Sequence, residues 1–428
     1  MGANLNSVLV IRNGTLIDGT GRPPIENDAT VIEGNRIKSV GPLPATLNLK
    51  DPRVTVIDAA GQWIMPGLID AHVHLTFGHP GYPGVAPAKT TTSAEFSTLR
   101  SAMNAQRVLR AGVTSISVPG GAWFADVALR EAIDAGLIEG PRIFCASRLL
   151  CTVGGGGERE PSWVGTPDHA IAVLCDGEEA LVREVRRQAK GGVNFIKMID
   201  SDWGDFQAFP DNELAAVINE AHRRHLKVTI HSRGSASTRA AVKAGVDWII
   251  HGDFATEADL DLMAKAGTPI MPTFTSAILA LKRPGGFGFY VDEAAVLTRH
   301  MEACIMTCQR AHARGIRLLS GSDTGNCTWM TYGDYHAKEA EIFVNEVGLS
   351  PMEAIVANTS GNAVAVGLER EVGSIEAGKL ADVILLKANP LADIRVLQNR
   401  QNLTVIIKDG KRVALEATDE RLLHPVAA

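Results

Sequence analysis

The sequence predicts an α/β protein, a (β/α)8 barrel of the TIM type joined to a small β-sandwich that both ends of the chain build. Two observations lead to this fold class. The middle of the chain alternates apolar strand-like segments with amphipathic helical ones, and both ends carry short strands separated by turns. The length of 428 residues and the hydrophobic content of 45% suit one barrel with an addition and a large core.

Short strands are predicted at both ends of the chain. The runs that carry them are 8–11, 29–32, 36–40, 381–386 and 405–407. The turn at Gly34-Asn35 joins two of these runs as a hairpin. We therefore predict a composite sandwich domain of residues 1–62 and 369–428, with a barrel domain of residues 63–368 between them.

Eight strand candidates divide the middle of the chain. They are 63–75, 113–118, 142–146, 195–199, 228–231, 248–251, 269–274 and 318–322. Amphipathic helical stretches such as 178–190 and 212–225 separate most of them. Eight strand–helix units in about 300 residues are typical of a (β/α)8 barrel, whose active site lies at the C-terminal ends of its strands.

Six residues lie at or just past the ends of five of these strands. They are His72, His74, Lys197, His231, His251 and Asp323. Side chains at positions i and i+2 of a strand share a face, so one ion can take both His72 and His74. Neutral imidazoles and carboxylates bind zinc and similar divalent ions. Because a barrel brings its strand ends together, the ordered set predicts a two-metal hydrolytic centre.

Lys197 and Asp323 need separate arguments. An ammonium group has no lone pair and would repel metal ions, so Lys197 either pairs with an acid or is modified. Carboxylation by carbon dioxide would give a carbamate with two oxygens able to bridge two ions. Asp323 can bind a metal, accept a proton from water and deliver it to the leaving amine. Taken singly, Lys197 also fits an ordinary strand lysine and Asp323 a helix N-cap.

The composition excludes several classes of function. The net charge of -6 and the absence of a basic stripe exclude nucleic acid as a partner. No apolar run reaches the length of a membrane span, and the N-terminal residues lack a secretory signal. The six cysteines show no Cys-x-x-Cys spacing, so we expect buried thiols. We expect a cytoplasmic protein that acts on a small molecule, without a membrane partner.

Two motifs resemble the amidohydrolase superfamily. Residues 64–70, which run into His72 and His74, resemble its first barrel strand, and residues 373–382 resemble its return to the sandwich. The resemblance covers nearly the whole chain and is strongest to the binuclear branch of Xaa-Pro and Xaa-Arg dipeptidase-like, imidazolonepropionase-like and ochratoxinase-like proteins. It implies a metal-dependent hydrolase that forms homo-oligomers.

The resemblance also implies roles for the six residues. The more buried ion would be held by His72, His74 and Asp323, and the second by His231 and His251. Carboxylated Lys197 and a hydroxide would bridge the two ions, and Asp323 would act as the catalytic proton shuttle. Zinc is the expected ion, although manganese or cobalt would fit the same ligands.

Four further positions are candidates for substrate contacts. Relatives carry Gly-Gly-His after the third strand, and Gly156 stands here at the place of that histidine. Arg233 is a candidate for meeting a substrate carboxylate, with an ion pair to a neighbouring acid as the alternative. Trp203 and Trp329 are candidates for walls of an apolar pocket, with simple packing as the alternative.

Two loops are candidate lids because glycine and proline are frequent in them. They are residues 76–92 and 281–289.

The resemblance implies hydrolysis of an amide-type C–N bond in a small molecule. An N-acyl amino acid or a dipeptide is the expected substrate, and an aromatic acyl amino acid such as ochratoxin is one concrete case. Carbamate or urea hydrolysis on the same centre is an alternative. Deamination of a small heterocycle is a second alternative, although Gly234 stands where deaminases of the superfamily carry a glutamate. A non-catalytic scaffold is a third, although such relatives lose metal ligands.

Overall fold

The computed structural model describes residues 7–27, 29–76, 93–158, 163, 165–166, 170–282, 292–326 and 330–415. Its strands are β1 (Val8–Arg12), β2 (Gly14–Leu16), β3 (Ile25–Asn27), β4 (Ala29–Glu33), β5 (Arg36–Gly41), β6 (Val54–Asp58), β7 (Trp63–Pro66), β8 (Leu68–Asp70), β9 (Val113–Val118), β10 (Arg142–Cys145), β11 (Leu149–Cys151), β12 (Ala172–Leu174), β13 (Phe195–Ile199), β14 (Lys227–Ser232), β15 (Trp248–His251), β16 (Ile270–Met271), β17 (Val383–Leu386), β18 (Leu403–Lys408) and β19 (Lys411–Arg412).

Its α-helices are α1 (Ala94–Leu109), α2 (Ala125–Asp134), α3 (Glu178–Lys190), α4 (Asp211–His222), α5 (Ser235–Ala244), α6 (Glu257–Ala266), α7 (Phe274–Leu281), α8 (Glu293–Ala313), α9 (Lys338–Ile342) and α10 (Pro351–Ala357). A π-helical turn covers Phe343–Val347, and 3-10 turns cover Asn362–Val364, Ile394–Gln398 and Arg400–Asn402. Among these helices, the longest apolar stretches fall short of what crossing a membrane requires.

Strands from both ends of the chain form the sandwich. One sheet has the order β5-β4-β1-β6 and the other the order β19-β18-β17-β7-β2-β3. In the second sheet β17 pairs antiparallel with β7, which pairs parallel with β2. Ile11, Leu16, Ile64, Val383 and Ile407 pack together in a shared core. The sandwich of both termini is therefore confirmed, while the domain boundaries after residues 62 and 368 stay predictions.

The barrel closes as a ring of parallel strands. Strands β8, β9 and β10 pair in order, and β13, β14, β15 and β16 pair in order. The Asn194 N–H donates to the Cys145 carbonyl at 2.8 Å and joins the two groups. On the other side, the Leu319 N–H donates to the Ile270 carbonyl at 2.8 Å and the Ala71 N–H to the Ser320 carbonyl at 3.0 Å. The predicted barrel is confirmed.

Three predicted strands differ from the structure. The single strand over 63–75 is wrong, because β7 belongs to the sandwich and β8 to the barrel, with Gly67 between them. A Cβ at Gly67 would lie 2.2 Å from Thr114 Oγ1, so only glycine fits this crossing. The strand over 269–274 is too long, because β16 ends at Met271 and α7 begins at Phe274.

The eighth strand over 318–322 is replaced by an extended segment with a single bridge, Ile270 to Leu318. Its backbone bonds go partly to side chains: the Ser320 N–H donates to Asn362 Oδ1 at 2.9 Å. The Asn362 side chain therefore takes the place of a backbone carbonyl on a neighbouring strand. The predicted helix 178–190 is confirmed as α3, and α4 ends at His222 rather than at residue 225, where φ is 57°.

Asp70 ties the first barrel strand to the extended segment that closes the barrel. Its Oδ1 accepts from the His72 N–H at 3.1 Å and the Ser322 N–H at 3.0 Å. Its Oδ2 accepts from Ser322 Oγ at 2.6 Å and from His336 Nδ1 at 2.7 Å. A buried carboxylate with four donors makes this seam specific, because a neutral side chain cannot satisfy all four.

Asp70→Asn should lower the free energy of unfolding by about 2–4 kcal/mol, because the amide places a donor against buried donors. Urea unfolding followed by circular dichroism measures the change. Asp51→Asn is the matched control, since Asp51 lies at the surface beside Arg53 and should leave the stability unchanged. Equal stability of the two variants would contradict the role given to Asp70.

Candidate metal centre

The first group of candidate ligands lies where the barrel closes. Val73, between the two histidines, forms a bridge with Thr324, and the Asp323 N–H donates to the His72 carbonyl at 2.9 Å. Asp323 has a φ of 55°, a left-handed conformation that non-glycine residues rarely adopt. Strain of this kind persists where the surrounding structure imposes it and is frequent at functional sites.

The donor atoms of this group have the spacing of ligands around one ion. His72 Nε2 lies 3.2 Å from His74 Nε2, and Asp323 Oδ1 lies 3.4 and 3.2 Å from these two nitrogens. Ligands at about 2.1 Å from a common ion are roughly 3.0–3.4 Å apart at angles between 90° and tetrahedral. All three side chains are buried.

A second pair of donors lies on the neighbouring strands β14 and β15, whose side chains face each other. His231 Nδ1 lies 2.9 Å from His251 Nε2, and the ring centroids are 4.1 Å apart. His251 Nδ1 lies 2.9 Å from Thr273 Oγ1 and 3.2 Å from the Pro272 carbonyl. A backbone acceptor on one ring nitrogen leaves the lone pair of the other nitrogen for a ligand.

His74 is oriented in the same way, since its Nδ1 donates to the Gly120 carbonyl at 2.8 Å and its Nε2 faces His72. Burial lowers the pKa of His72 and of His251 well below the usual value, with the Asp323 charge opposing this for His72. His72 and His251 are therefore neutral, which is the form of imidazole that binds metal ions.

Lys197 lies on β13 and is buried at the same pocket. Its Nζ has no hydrogen-bond partner among the described residues, so the acid partner that the sequence left open is not found there. Burial lowers the pKa of Lys197 well below that of a free lysine, against the charge of Asp323. A neutral, buried amine without a partner is costly unless something else satisfies it.

The structure brings all six predicted residues together around one pocket. The other residues that line it are Leu149, Ile171, Ile199, Asp202, Trp203, Arg233 and Asn326. Imidazole nitrogens, a carboxylate and the Lys197 amine, which has no hydrogen-bond partner among the described residues, form a donor set that fits divalent ions. Their role as ligands stays a prediction.

Arg233 and Trp203 lie where the sequence placed them, at the pocket wall. Arg233 Nη1 donates to Asp253 Oδ2 at 2.6 Å, which is the ion pair that the sequence left as an alternative. The guanidinium also lies over the Trp203 ring, 4.0 Å from its centroid. Trp329 and residues 77–92 and 283–289 of the two candidate lids lie outside the described residues.

Gly156 lies behind the pocket wall rather than among the residues that line it. Its N–H donates to the Asp200 carbonyl at 2.9 Å, and a Cβ at this position would lie 2.7 Å from the Asp202 Cβ. Asp202 lines the pocket instead, with Oδ1 3.6 Å from His231 Nε2. The absent side chain at Gly156 therefore makes room for Asp202.

Sequence reasoning missed several residues that hold the site. Asn326 Nδ2 and Ser276 Oγ donate to Asp323 Oδ2 at 3.0 and 3.2 Å. Asp253 and His300 hold Arg233. The position of Asp253, two residues past His251, was the available signal. His300 in the middle of α8 carries no local signal.

A barrel with histidines, a lysine and an aspartate gathered at its strand ends defines the class of metal-dependent barrel hydrolases. The profile of the amidohydrolase family matches residues 63–413, and this chain belongs to that family. The predicted resemblance is confirmed. The protein is a metal-dependent hydrolase that acts on amide-type C–N bonds.

Named relatives agree with this class. Ochratoxinase of Aspergillus niger is 30% identical over 429 residues, covering 94% of this chain and 86% of that protein. Imidazolonepropionase of Pseudomonas putida (strain GB-1) is 25% identical and covers 86% and 90%. A solved structure described as a Xaa-Pro dipeptidase with bound methionine in the active site superposes with a TM-score of 0.82, 29% identity and coverage of 95% and 100%.

Glu339 supports the segment behind His251. It caps α7 by accepting from the Phe274 and Thr275 N–H groups at 2.8 and 3.0 Å and from Thr275 Oγ1 at 2.7 Å. Burial raises the pKa of Glu339 to about 8, although these hydrogen bonds lower it. Because Thr273 directly precedes α7, Glu339 helps to fix the residue that contacts His251.

Glu339→Gln should flatten the pH dependence of stability, because Gln mimics the protonated acid at every pH. A carboxyl with a folded pKa of about 8 and an unfolded value of 4.5 stabilises the fold below pH 4.5. That contribution is lost as the pH rises through 8. The advantage of wild type over the variant should fall by on the order of 3 kcal/mol between pH 5 and 8.5. Urea unfolding of metal-free protein measures it, and a constant difference would contradict the raised pKa.

Proposed function

We propose that this chain hydrolyses the amide bond of an N-acyl amino acid or dipeptide-like small molecule at a two-metal centre. The observation that carries the proposal is the gathering at one pocket of two converging donor groups and of the buried Lys197 amine, for which the described part of the chain offers no hydrogen-bond partner. His72, His74 and Asp323 would hold one ion, and His231 and His251 the other.

Lys197 would bridge the two ions as a carbamate. The reaction requires a neutral amine. Its lone pair attacks the carbon of carbon dioxide, a C–N bond forms as one C=O π bond opens to leave the negative charge on oxygen, and an N–H proton leaves to solvent. The low pKa of Lys197 supports this form. The product is an anion with two oxygens, which would satisfy a position where the amine alone has no partner among the described residues. This accounts for a lysine among metal ligands.

Bound divalent ions, zinc by expectation, would supply Lewis acidity that lowers the pKa of water and polarises the scissile carbonyl. Asp323 would take a proton from the attacking water and give it to the leaving amine. Ser276 and Asn326 both donate to Asp323 Oδ2, while Oδ1 faces the two histidines. The carboxylate is therefore held in one orientation for both roles.

The named relatives support an amide substrate that contains an amino acid. The A. niger relative is called ochratoxinase, and the solved relative is a Xaa-Pro dipeptidase with methionine in its active site. An aromatic acyl amino acid such as ochratoxin is one concrete candidate.

The test is a hydrolysis panel with zinc and bicarbonate supplied. It contains N-acetyl-L-methionine, N-benzoyl-L-phenylalanine, an aryl carbamate and a phenylurea, with products separated by liquid chromatography. We expect the two acyl amino acids to be hydrolysed, the rate to fall on chelation and zinc to restore it. Turnover of the carbamate or urea alone would overturn the proposed substrate class.

Lys197→Ala should lower kcat by at least about a hundredfold, because the bridging anion is lost. Acetate or propionate should restore part of the rate by supplying a carboxylate in its place. Metal content, measured by mass spectrometry of the dialysed protein, should fall below that of wild type.

Lys227→Ala is the matched control for Lys197→Ala. Lys227 begins β14 at the opposite end of the barrel and pairs with Glu369 at 3.0 Å. Its loss should leave kcat within about twofold, as expected for a surface ion pair. Full activity of Lys197→Ala without added carboxylate would rule out the bridging role.

A further inference from the structure

A buried ion-pair network lies at the pocket wall beside the candidate metal ligands. Arg233 Nη1 donates to Asp253 Oδ2 at 2.6 Å, and His300 Nδ1 donates to the same oxygen at 2.7 Å. All three side chains are buried, and none is among the six predicted ligands. The segment just past β14 and helix α8, which are remote in sequence, therefore meet at one carboxylate.

Trp203 fixes the plane of the guanidinium. The Arg233 carbon Cζ lies 4.0 Å above the Trp203 ring, and His300 meets the edge of that ring with centroids 5.1 Å apart. Stacking and the ion pair together leave the guanidinium one orientation.

The ion pair with Asp253 engages the Nη1 group of the Arg233 guanidinium. A structural arginine–carboxylate pair is frequently bidentate, with two parallel hydrogen bonds. Here only Nη1 bonds to Asp253, and among the described residues neither Arg233 Nε nor Asp253 Oδ1 has a hydrogen-bond partner. Because a guanidinium carries five N–H donors, Arg233 keeps donors for a further anion at a pocket that it lines.

The position of Arg233 suits a particular anion. Arg233 lies one residue past the end of β14 and two residues after His231, and both residues line the same pocket. In an N-acyl amino acid, the α-carboxylate carbon is three covalent bonds from the carbonyl carbon that is attacked. A substrate held at the metal centre by its carbonyl therefore carries its carboxylate towards Arg233.

We propose that Arg233 binds the α-carboxylate of the amino acid released on hydrolysis, and that Asp253 and His300 are positioning residues for it. This inference rests on the proposed function and narrows it to substrates with a free carboxylate. Asp253 holds Arg233 in place because the same Asp253 oxygen accepts from both Arg233 Nη1 and His300 Nδ1. The guanidinium stacks on the face of the Trp203 ring.

Binding of amino acids, which needs no turnover, tests the inference. L-Methionine, L-phenylalanine and L-proline are compared with methioninol, phenylalaninol and prolinol by calorimetry on the metal-loaded full chain. We expect at least one acid to bind about tenfold or more tightly than its alcohol. Arg233→Met should remove this preference while the alcohols change by less than about threefold, and Arg233→Lys should retain part of it.

Asp253→Asn and His300→Gln test the positioning roles. Each should raise KM for N-acyl amino acids by about tenfold and leave kcat within about threefold, because the carboxylate contact is weakened but the reacting atoms are not touched. Equal losses in kcat and kcat/KM would overturn the positioning roles. Metal content is measured for every variant. If a variant holds fewer ions than wild type, KM and kcat of Arg233→Lys are compared with wild type in its place.

Arg239→Met is the matched control. Arg239 on α5 donates from Nε to Asp259 Oδ1 at 2.7 Å, so this variant breaks a similar ion pair outside the pocket lining. It should keep the preference for acids over alcohols. Loss of the preference in Arg239→Met would show that the preference depends on the stability of the protein rather than on recognition of the carboxylate.

The outcomes separate this inference from the proposed function. Hydrolysis of acyl amino acids without an Arg233-dependent preference for acids overturns the inference and keeps the proposed function. An Arg233-dependent preference without hydrolysis of any amide overturns the proposed function and keeps the carboxylate site. Equal binding of acids and alcohols by wild type, or binding of none of them, overturns the inference.

Discussion

The site depends on the closure of the barrel between its first strand and the segment around Asp323. The Ala71 N–H donates to the Ser320 carbonyl, and the Asp323 N–H donates to the His72 carbonyl. Asp70 adds two hydrogen bonds across the same seam, from the Ser322 N–H and from Ser322 Oγ. Two segments some 250 residues apart in sequence thereby bring a carboxylate oxygen within hydrogen-bonding range of two imidazoles. The closure of the barrel therefore sets the spacing of the donor atoms of His72, His74 and Asp323.

Burial then decides the charge state of the site. It lowers the pKa of Lys197, His72 and His251, so the groups that face the pocket are neutral donors rather than cations. Arg233 differs because a guanidinium stays charged and Asp253 pairs with it. The pocket therefore combines neutral nitrogens and the Asp323 carboxylate with one fixed positive charge, that of Arg233. That combination suits a carbonyl compound with a carboxylate nearby.

The sequence predicted what local patterns specify. The strand ends with His231 and His251 follow from apolar runs of the right length, and the donors there and at His72 were recognisable by type. The short seventh strand and the missing eighth were not, because Asn362 and the helix at Phe274 replace ladder bonds through contacts remote in sequence. The same holds for the network around Arg233, since an arginine beside a histidine does not reveal which distant acid or imidazole will meet it. Gly156 shows a further limit of prediction from sequence. Its missing side chain leaves the space that Asp202 occupies, and Asp202 is remote from it in sequence.

The central claim is that this chain holds two metal ions bridged by a modified Lys197. Anomalous diffraction at the zinc absorption edge, from crystals grown with zinc and bicarbonate, tests it most directly. The account predicts two peaks, one beside His72, His74 and Asp323 and one beside His231 and His251, with density for a carboxylate beyond the Lys197 Nζ. A single peak, or two peaks with an unmodified Lys197 turned away from both, would contradict it.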